Sequence, residues 1–144
     1  MNIQNKTFIV TGSASGLGLA TAQMIIESGG NAVLLDINVL NGEAAEAKLG
    51  TKSRFVQTDV SNEESVKNAI SIAQTTFGGI NGAINCAGIG PAERVVGKNG
   101  SHSLASFTRT ITVNLIGSFN IIRLVSEVLQ NNDPSEGGER GILI

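Results

Sequence analysis

The chain has 144 residues, a formal net charge of −2, one cysteine, one histidine and 3% aromatic residues. That excludes an intrachain disulfide, argues against a metal centre built from His and Cys, and provides neither the charge nor the stacking surface that nucleic acid needs. At 41% hydrophobic residues it is one domain's worth of chain, residues 1–144, able to bury a core.

Met1 to Lys6 is polar and unlike a secretory leader, and the apolar runs are expected to fall short of a membrane span. A strand is predicted over 7–11, where Thr7-Phe8-Ile9-Val10 is apolar and partly β-branched. A helix follows over 17–28, with Leu17, Ala20, Thr21, Met24 and Ile25 as its apolar stripe. Between them lies Thr11-Gly12-Ser13-Ala14-Ser15-Gly16-Leu17-Gly18. A glycine turn between strand and helix suits a diphosphate: small residues let the backbone approach it, and the free amides and dipole of the helix N-terminus favour an anion. The same turn also serves as an ordinary strand-to-helix connection. A Walker loop is disfavoured, since Gly97-Lys98-Asn99 has the wrong third residue.

The next strand, 31–36, ends in Asp36, roughly 20 residues past the turn, where a carboxylate accepts hydrogen bonds from both hydroxyls of an adenosine ribose. It also opposes a 2′-phosphate. Like charges about 4 Å apart at an effective dielectric near 20 repel by roughly 4 kcal/mol. No Lys or Arg follows in Ile37-Asn38-Val39-Leu40, so the reading is NAD over NADP.

A helix over 42–49, a strand over 54–58 and a helix over 62–77 come next. Ser61 to Glu64 reads as a capping box, and Val66, Ala69, Ile70, Ala73 and Phe77 form the buried stripe. A strand over 80–86 ends near Cys86, best read as a buried thiol. The loop Ile89–Ser103 is a candidate substrate cover, and its His102 reads as solvated. A helix over 104–131 is expected to bury Phe107, Ile111, Leu115, Phe119, Ile122, Val125 and Leu129 against the sheet. A last strand is predicted over 140–144. Alternating strands and helices imply an α/β doubly wound parallel sheet of Rossmann type, strand order 3-2-1-4-5, with a ligand crevice at the carboxyl edge.

Taken together, the T-G-x-x-x-G-x-G turn, Thr58-Asp59-Val60, Asn85-Cys86-Ala87-Gly88 and Asn114 within Thr112 to Phe119 resemble the short-chain dehydrogenase/reductase family over essentially the whole chain. Cys86 to Ile89, Asn114 to Leu124 and the tail Gly137 to Ile144 look most like its type-2 3-hydroxyacyl-CoA dehydrogenase branch. The resemblance implies that Gly12, Ser15, Gly16, Leu17 and Gly18 line the pyrophosphate and Asp36 binds the ribose. Asp59 and Val60 would flank the adenine, and Asn85, Ala87 and Gly88 would run past the cofactor on its other side. Asn114 would be the asparagine of the catalytic tetrad, helping to organise a water in the proton relay. It further implies a small-molecule substrate and a homo-oligomer paired through the long helix.

The family's serine and Tyr-x-x-x-Lys pair have no counterpart here, and the sequence has no tyrosine. The C-terminal part of the family fold is therefore expected to be absent, leaving a chain that binds NAD without turnover. A non-catalytic nucleotide-binding module is the alternative of a different class; a methyltransferase binding S-adenosylmethionine is another, poorly served by Asn85 to Gly88. The lone cysteine suits a reducing, cytoplasmic setting.

Overall fold

A computed structural model describes residues 2–98 and 100–144; Met1 and Asn99, the latter inside the Ile89–Ser103 loop, lie outside them. In chain order the elements are β1 Thr7–Thr11, α1 Gly16–Glu27, β2 Asn31–Asp36, α2 Val39–Leu49, β3 Ser53–Gln57, α3 Glu63–Phe77 and β4 Gly82–Ile84. They continue with β5 Val96–Gly97, β6 Gly100–Ser101, α4 Leu104–Ile111, a π-helical segment Thr112–Gly117, α5 Ser118–Leu129 and β7 Ile142–Leu143.

The main sheet is parallel, in the order β3-β2-β1-β4-β7. That is the expected 3-2-1-4-5 order, because β5 and β6 form a separate antiparallel hairpin in the loop before α4. Side chains alternate across the sheet. Phe8, Val10, Ala32 and Leu34 pack with Ala22, Ile25 and Ala45 on one face. Ile9, Val33 and Leu35 pack with α3 and α5 on the other. Both faces are covered, which is why these strands read as continuous apolar runs.

Several expectations need correction. α1 buries Gly18, Ala22 and Ile25, while Leu17 and Met24 are exposed. The helix lies so close to the turn that a Cβ on Gly18 would stand 2.3 Å from the Gly12 carbonyl oxygen, and small residues must face inward. α2 starts three residues early because the Asn38 side chain caps it, accepting from the Asn41 amide. α3 is capped by Asn62, not Ser61: Asn62 Oδ1 accepts from the Ser65 amide at 2.9 Å, and the Ser61 hydroxyl donates to Asp59 instead. The strands predicted over 80–86 and 140–144 contract to three and two residues.

The long helix departs most. It is broken by the π segment, and its buried face is Gly117, Asn120, Ile121, Leu124, Val125 and Leu129. Of the residues expected inside, only Val125 and Leu129 are buried; Phe107, Leu115, Phe119 and Ile122 are exposed. Two apolar stripes run along this helix, and the buried one includes the amide of Asn120. The run Leu104–Leu129 is 26 residues long and contains an 18-residue stretch with a mean hydropathy of 1.3, so one helix does reach the length and apolarity of a membrane span. Its inner face packs on the sheet, and Arg123 on its flank is ion-paired to Glu63 of α3, contacts a bilayer does not supply.

Candidate functional site

The carboxyl ends of the central strands converge on a crevice of about 160 Å³. Gly12, Asp36, Asp59, Val60, Ala87, Gly88, Ile89, Arg109 and Val113 are among its walls. It stands between the ends of β1, β2, β3 and β4, where the connections leave to opposite faces of the sheet. Six residues expected from the sequence therefore meet here.

Hydrogen bonds across strand ends hold the crevice open. Thr11 Oγ1 accepts from the Cys86 amide at 3.0 Å and the Ala87 amide at 2.9 Å, joining the ends of β1 and β4. The Ala14 amide donates to Asp36 Oδ2 at 3.0 Å, and the Asn38 amide donates to Asp36 Oδ1 at 2.9 Å. The carboxylate is thus fixed in orientation while retaining lone pairs on both oxygens. The buried Ser13 joins the same edge through its amide and hydroxyl, both donating to the Leu35 carbonyl.

The three glycines of the turn have different tasks. A Cβ on Gly12 would lie 2.8 Å from the Cys86 carbonyl oxygen, so Gly12 permits contact between β1 and β4. Gly18 permits contact between helix and turn. Close approach to a diphosphate was one expected reason for the glycines, and for these two the protein's own backbone is the nearer cause. Gly16 differs in that a Cβ there would meet open space; its φ of +52°, like the +62° of Gly12, is what favours glycine.

Ser15, Gly16 and Leu17 are exposed at the start of α1. Side-chain oxygens of Asn38, Asn62 and Ser103 cap α2, α3 and α4, whereas Ser15 makes no such bond and the first turn of α1 holds no acid. Its amides and positive dipole end are left for a ligand or water.

Asp59 Oδ1 accepts from the Ser61 amide at 2.9 Å and from the Ser61 hydroxyl at 2.6 Å. No protein group engages its Oδ2 among the described residues, so that oxygen is available to a donor in the crevice. Two expected residues are committed elsewhere. Asn85 does not line the crevice; its amide and its Nδ2 both donate to the Ile144 carbonyl just past β7. Asn114 Oδ1 accepts from the Ile89 amide and its Nδ2 donates to the Ile89 carbonyl, each at 2.9 Å. A π segment beside a functional crevice is a recurrent arrangement.

His102 is also corrected. It is only a quarter exposed, its Nε2 stands 3.4 Å from Glu93 Oε2, and its ring meets Phe107 edge-on. Cys86 is only partly buried and packs against the α1 side of the core. Sequence reasoning missed Thr11, Ser13, Arg109 and Asn120. Thr11 and Ser13 sit inside the motif, but their hydrogen-bond partners are 22 or more residues away, which nothing local announces.

The same architecture recurs among known proteins. The chain is 43% identical to 3-hydroxyacyl-CoA dehydrogenase type-2 of Bos taurus and 42% identical to that of Homo sapiens, in each case over 99% of this chain and 56% of the relative. It spans just over half the length of these curated relatives. A crystal structure of 3-hydroxyacyl-CoA dehydrogenase type-2 from Mycobacterium avium superposes with a TM-score of 0.90 at 35% identity, covering 99% of this chain and 57% of that one. A 3-ketoacyl-(acyl-carrier-protein) reductase from Brucella melitensis, complexed with NADH, gives 0.83 at 26% identity over 90% and 52%. A family profile described as short chain dehydrogenase matches residues 6–139, and with that match added to this sheet order and crevice, the chain belongs to the short-chain dehydrogenase family.

Proposed function

We propose that this chain is the cofactor-binding part of an NAD-dependent dehydrogenase acting on a secondary alcohol such as a 3-hydroxyacyl thioester of coenzyme A. One observation carries the cofactor reading. Asp36, held by the Ala14 and Asn38 amides, stands beside the uncapped start of α1. A ribose needs a fixed bidentate acceptor and a diphosphate needs free amides, and these features supply both at one sheet edge. The carboxylate favours a free 2′-hydroxyl over a 2′-phosphate. The nicotinamide supplies hydride acceptance or donation; the chain's residues bind and orient it.

In this reading Gly16 and Leu17 amides hold the diphosphate, and Asp59 and Val60 flank the adenine. Ala87 and Gly88 pass the far side, and Asn114 helps to order a water in the proton relay. The substrate reading draws on the relatives named 3-hydroxyacyl-CoA dehydrogenase. No tyrosine is present to exchange a proton with a substrate oxygen, so we propose that these 144 residues alone bind cofactor without turnover. The exposed stripe Leu104, Phe107, Leu115, Phe119 and Ile122 supports pairing with a second copy.

Calorimetric titration with NADH and NADPH tests the cofactor reading. Binding of NADH in preference to NADPH is expected; no heat from either at millimolar concentration contradicts it.

A further inference from the structure

Behind the crevice, a chain of polar contacts runs from the surface to Val60. Lys67 Nζ meets Glu63 Oε1 at 2.7 Å, and Glu63 Oε2 accepts from Arg123 Nη2 at 2.6 Å. The same Nη2 donates to Asn120 Oδ1 at 2.9 Å, and Asn120 Nδ2 donates to the Val60 carbonyl at 2.9 Å. Asn120 is 4% exposed and sits on the inner face of α5 among Ile121, Leu124 and Val125. An apolar residue there would add to the core. An amide is tolerated only because both its ends are satisfied. Arg123 decides which end faces which way: by donating to Oδ1 it leaves Nδ2 for the Val60 carbonyl.

Val60 is also fitted closely to the helix, since a Cβ on Gly117 would lie 2.6 Å from Val60 Cγ2. Asp59 precedes it, its Oδ2 available to a donor in the crevice. The contacts within Asp59–Ser65 shape this loop internally, while Asn120 ties it to α5. We propose that Asn120, oriented by Arg123, is a positioning residue for base recognition: it holds the Asp59–Val60 segment at the height where a carboxylate and a backbone group meet an adenine edge. This inference rests on the dinucleotide reading above. It adds a residue of α5 that touches no ligand and acts through Val60.

The test compares reduced NAD with its hypoxanthine analogue, which lacks the exocyclic amine, by fluorescence titration of the full chain. Wild type is expected to prefer adenine by about tenfold, the scale of one well-placed hydrogen bond to a charged group. Asn120→Leu is expected to reduce that preference by about fivefold while urea melts stay cooperative. Arg123→Met, at a partly exposed position, is expected to reduce it in the same direction, and Arg123→Lys to restore part of it. A merely structural role lowers the urea midpoint and leaves the ratio of the two affinities unchanged, which overturns the proposal. If Asn120→Leu does not fold, the Arg123 pair decides alone. Wild type that binds both dinucleotides equally overturns this inference and leaves the cofactor reading standing; wild type that binds neither overturns both.

Discussion

Asn114 and Ile89 are joined twice, the Ile89 amide donating to Oδ1 and Nδ2 donating to the Ile89 carbonyl, each at 2.9 Å. One side-chain amide thereby imitates a strand partner for the segment just past Gly88. It fixes the π segment against the crevice wall, and a Cβ on Gly88 would stand 3.4 Å from Asn114 Oδ1. A residue expected to act in proton transfer is thus also a structural clamp.

Asn114→Ala removes both bonds. The expected loss is about 1–3 kcal/mol of unfolding free energy, with weaker NADH binding, because the Ile89 groups lose their partners. Urea melts and a fluorescence titration check it; an unchanged midpoint would show the clamp to be dispensable.

The turn glycines separate by cause. Gly18→Ala forces a carbon into the Gly12 carbonyl and is expected to cost at least about 1–3 kcal/mol, as overpacking does. Gly16→Ala meets no atom but keeps a positive φ, at a cost of about 1–2 kcal/mol. Equilibrium unfolding should rank Gly18→Ala as the more damaging, and the reverse order would refute the packing argument.

Much of this was legible in the residues. Strand order followed from apolar runs alternating with helical spacing, and Asp36 from its place at the end of the second run. What was hidden depends on contacts distant in sequence. Two apolar stripes compete on the Leu104–Leu129 run, and periodicity alone does not say which one meets the sheet. The buried Asn120 breaks the apolar pattern of the true inner face, so the stripe without it looked better. The family resemblance puts Asn85 beside the cofactor, yet its side chain is drawn to the Ile144 carbonyl.

In the proposed function, Asp36 sets the choice of nucleotide. Asp36→Ala should weaken NADH about tenfold, the scale of losing hydrogen bonds to a charged acceptor, and narrow the gap to NADPH. Titration of both nucleotides reads the ratio. A variant as selective as wild type would place the discrimination elsewhere.

Glu63 and Lys67 give a pH signature. Lys67 and then Arg123, donating to the Glu63 carboxylate, hold it below its ordinary value of 4.5, and Glu63 raises Lys67 above 10.5. A depressed carboxyl contributes stability that is present above its unfolded value and lost as pH falls through the folded one. The raised lysine contributes stability present below 10.5 and lost as pH rises through its folded value. Glu63→Gln should therefore flatten the urea midpoint on both limbs. The effect is small because both groups face solvent. Equally steep limbs in wild type and variant would assign the pH dependence to other residues.

The uncovered stripe on α4 and α5 makes a prediction about assembly. Phe119→Glu should shift sedimentation toward the monomer at micromolar concentration while leaving the melt cooperative, since Phe119 is exposed within one chain. Sedimentation unchanged by the substitution would remove this face from the proposed pairing.

The most direct test of the central claim is a crystal structure of this chain grown with NADH. The account predicts the diphosphate on the Gly16 and Leu17 amides and the adenosine ribose hydroxyls on Asp36. Density for the dinucleotide elsewhere, or its absence from this edge at saturating NADH, would contradict it.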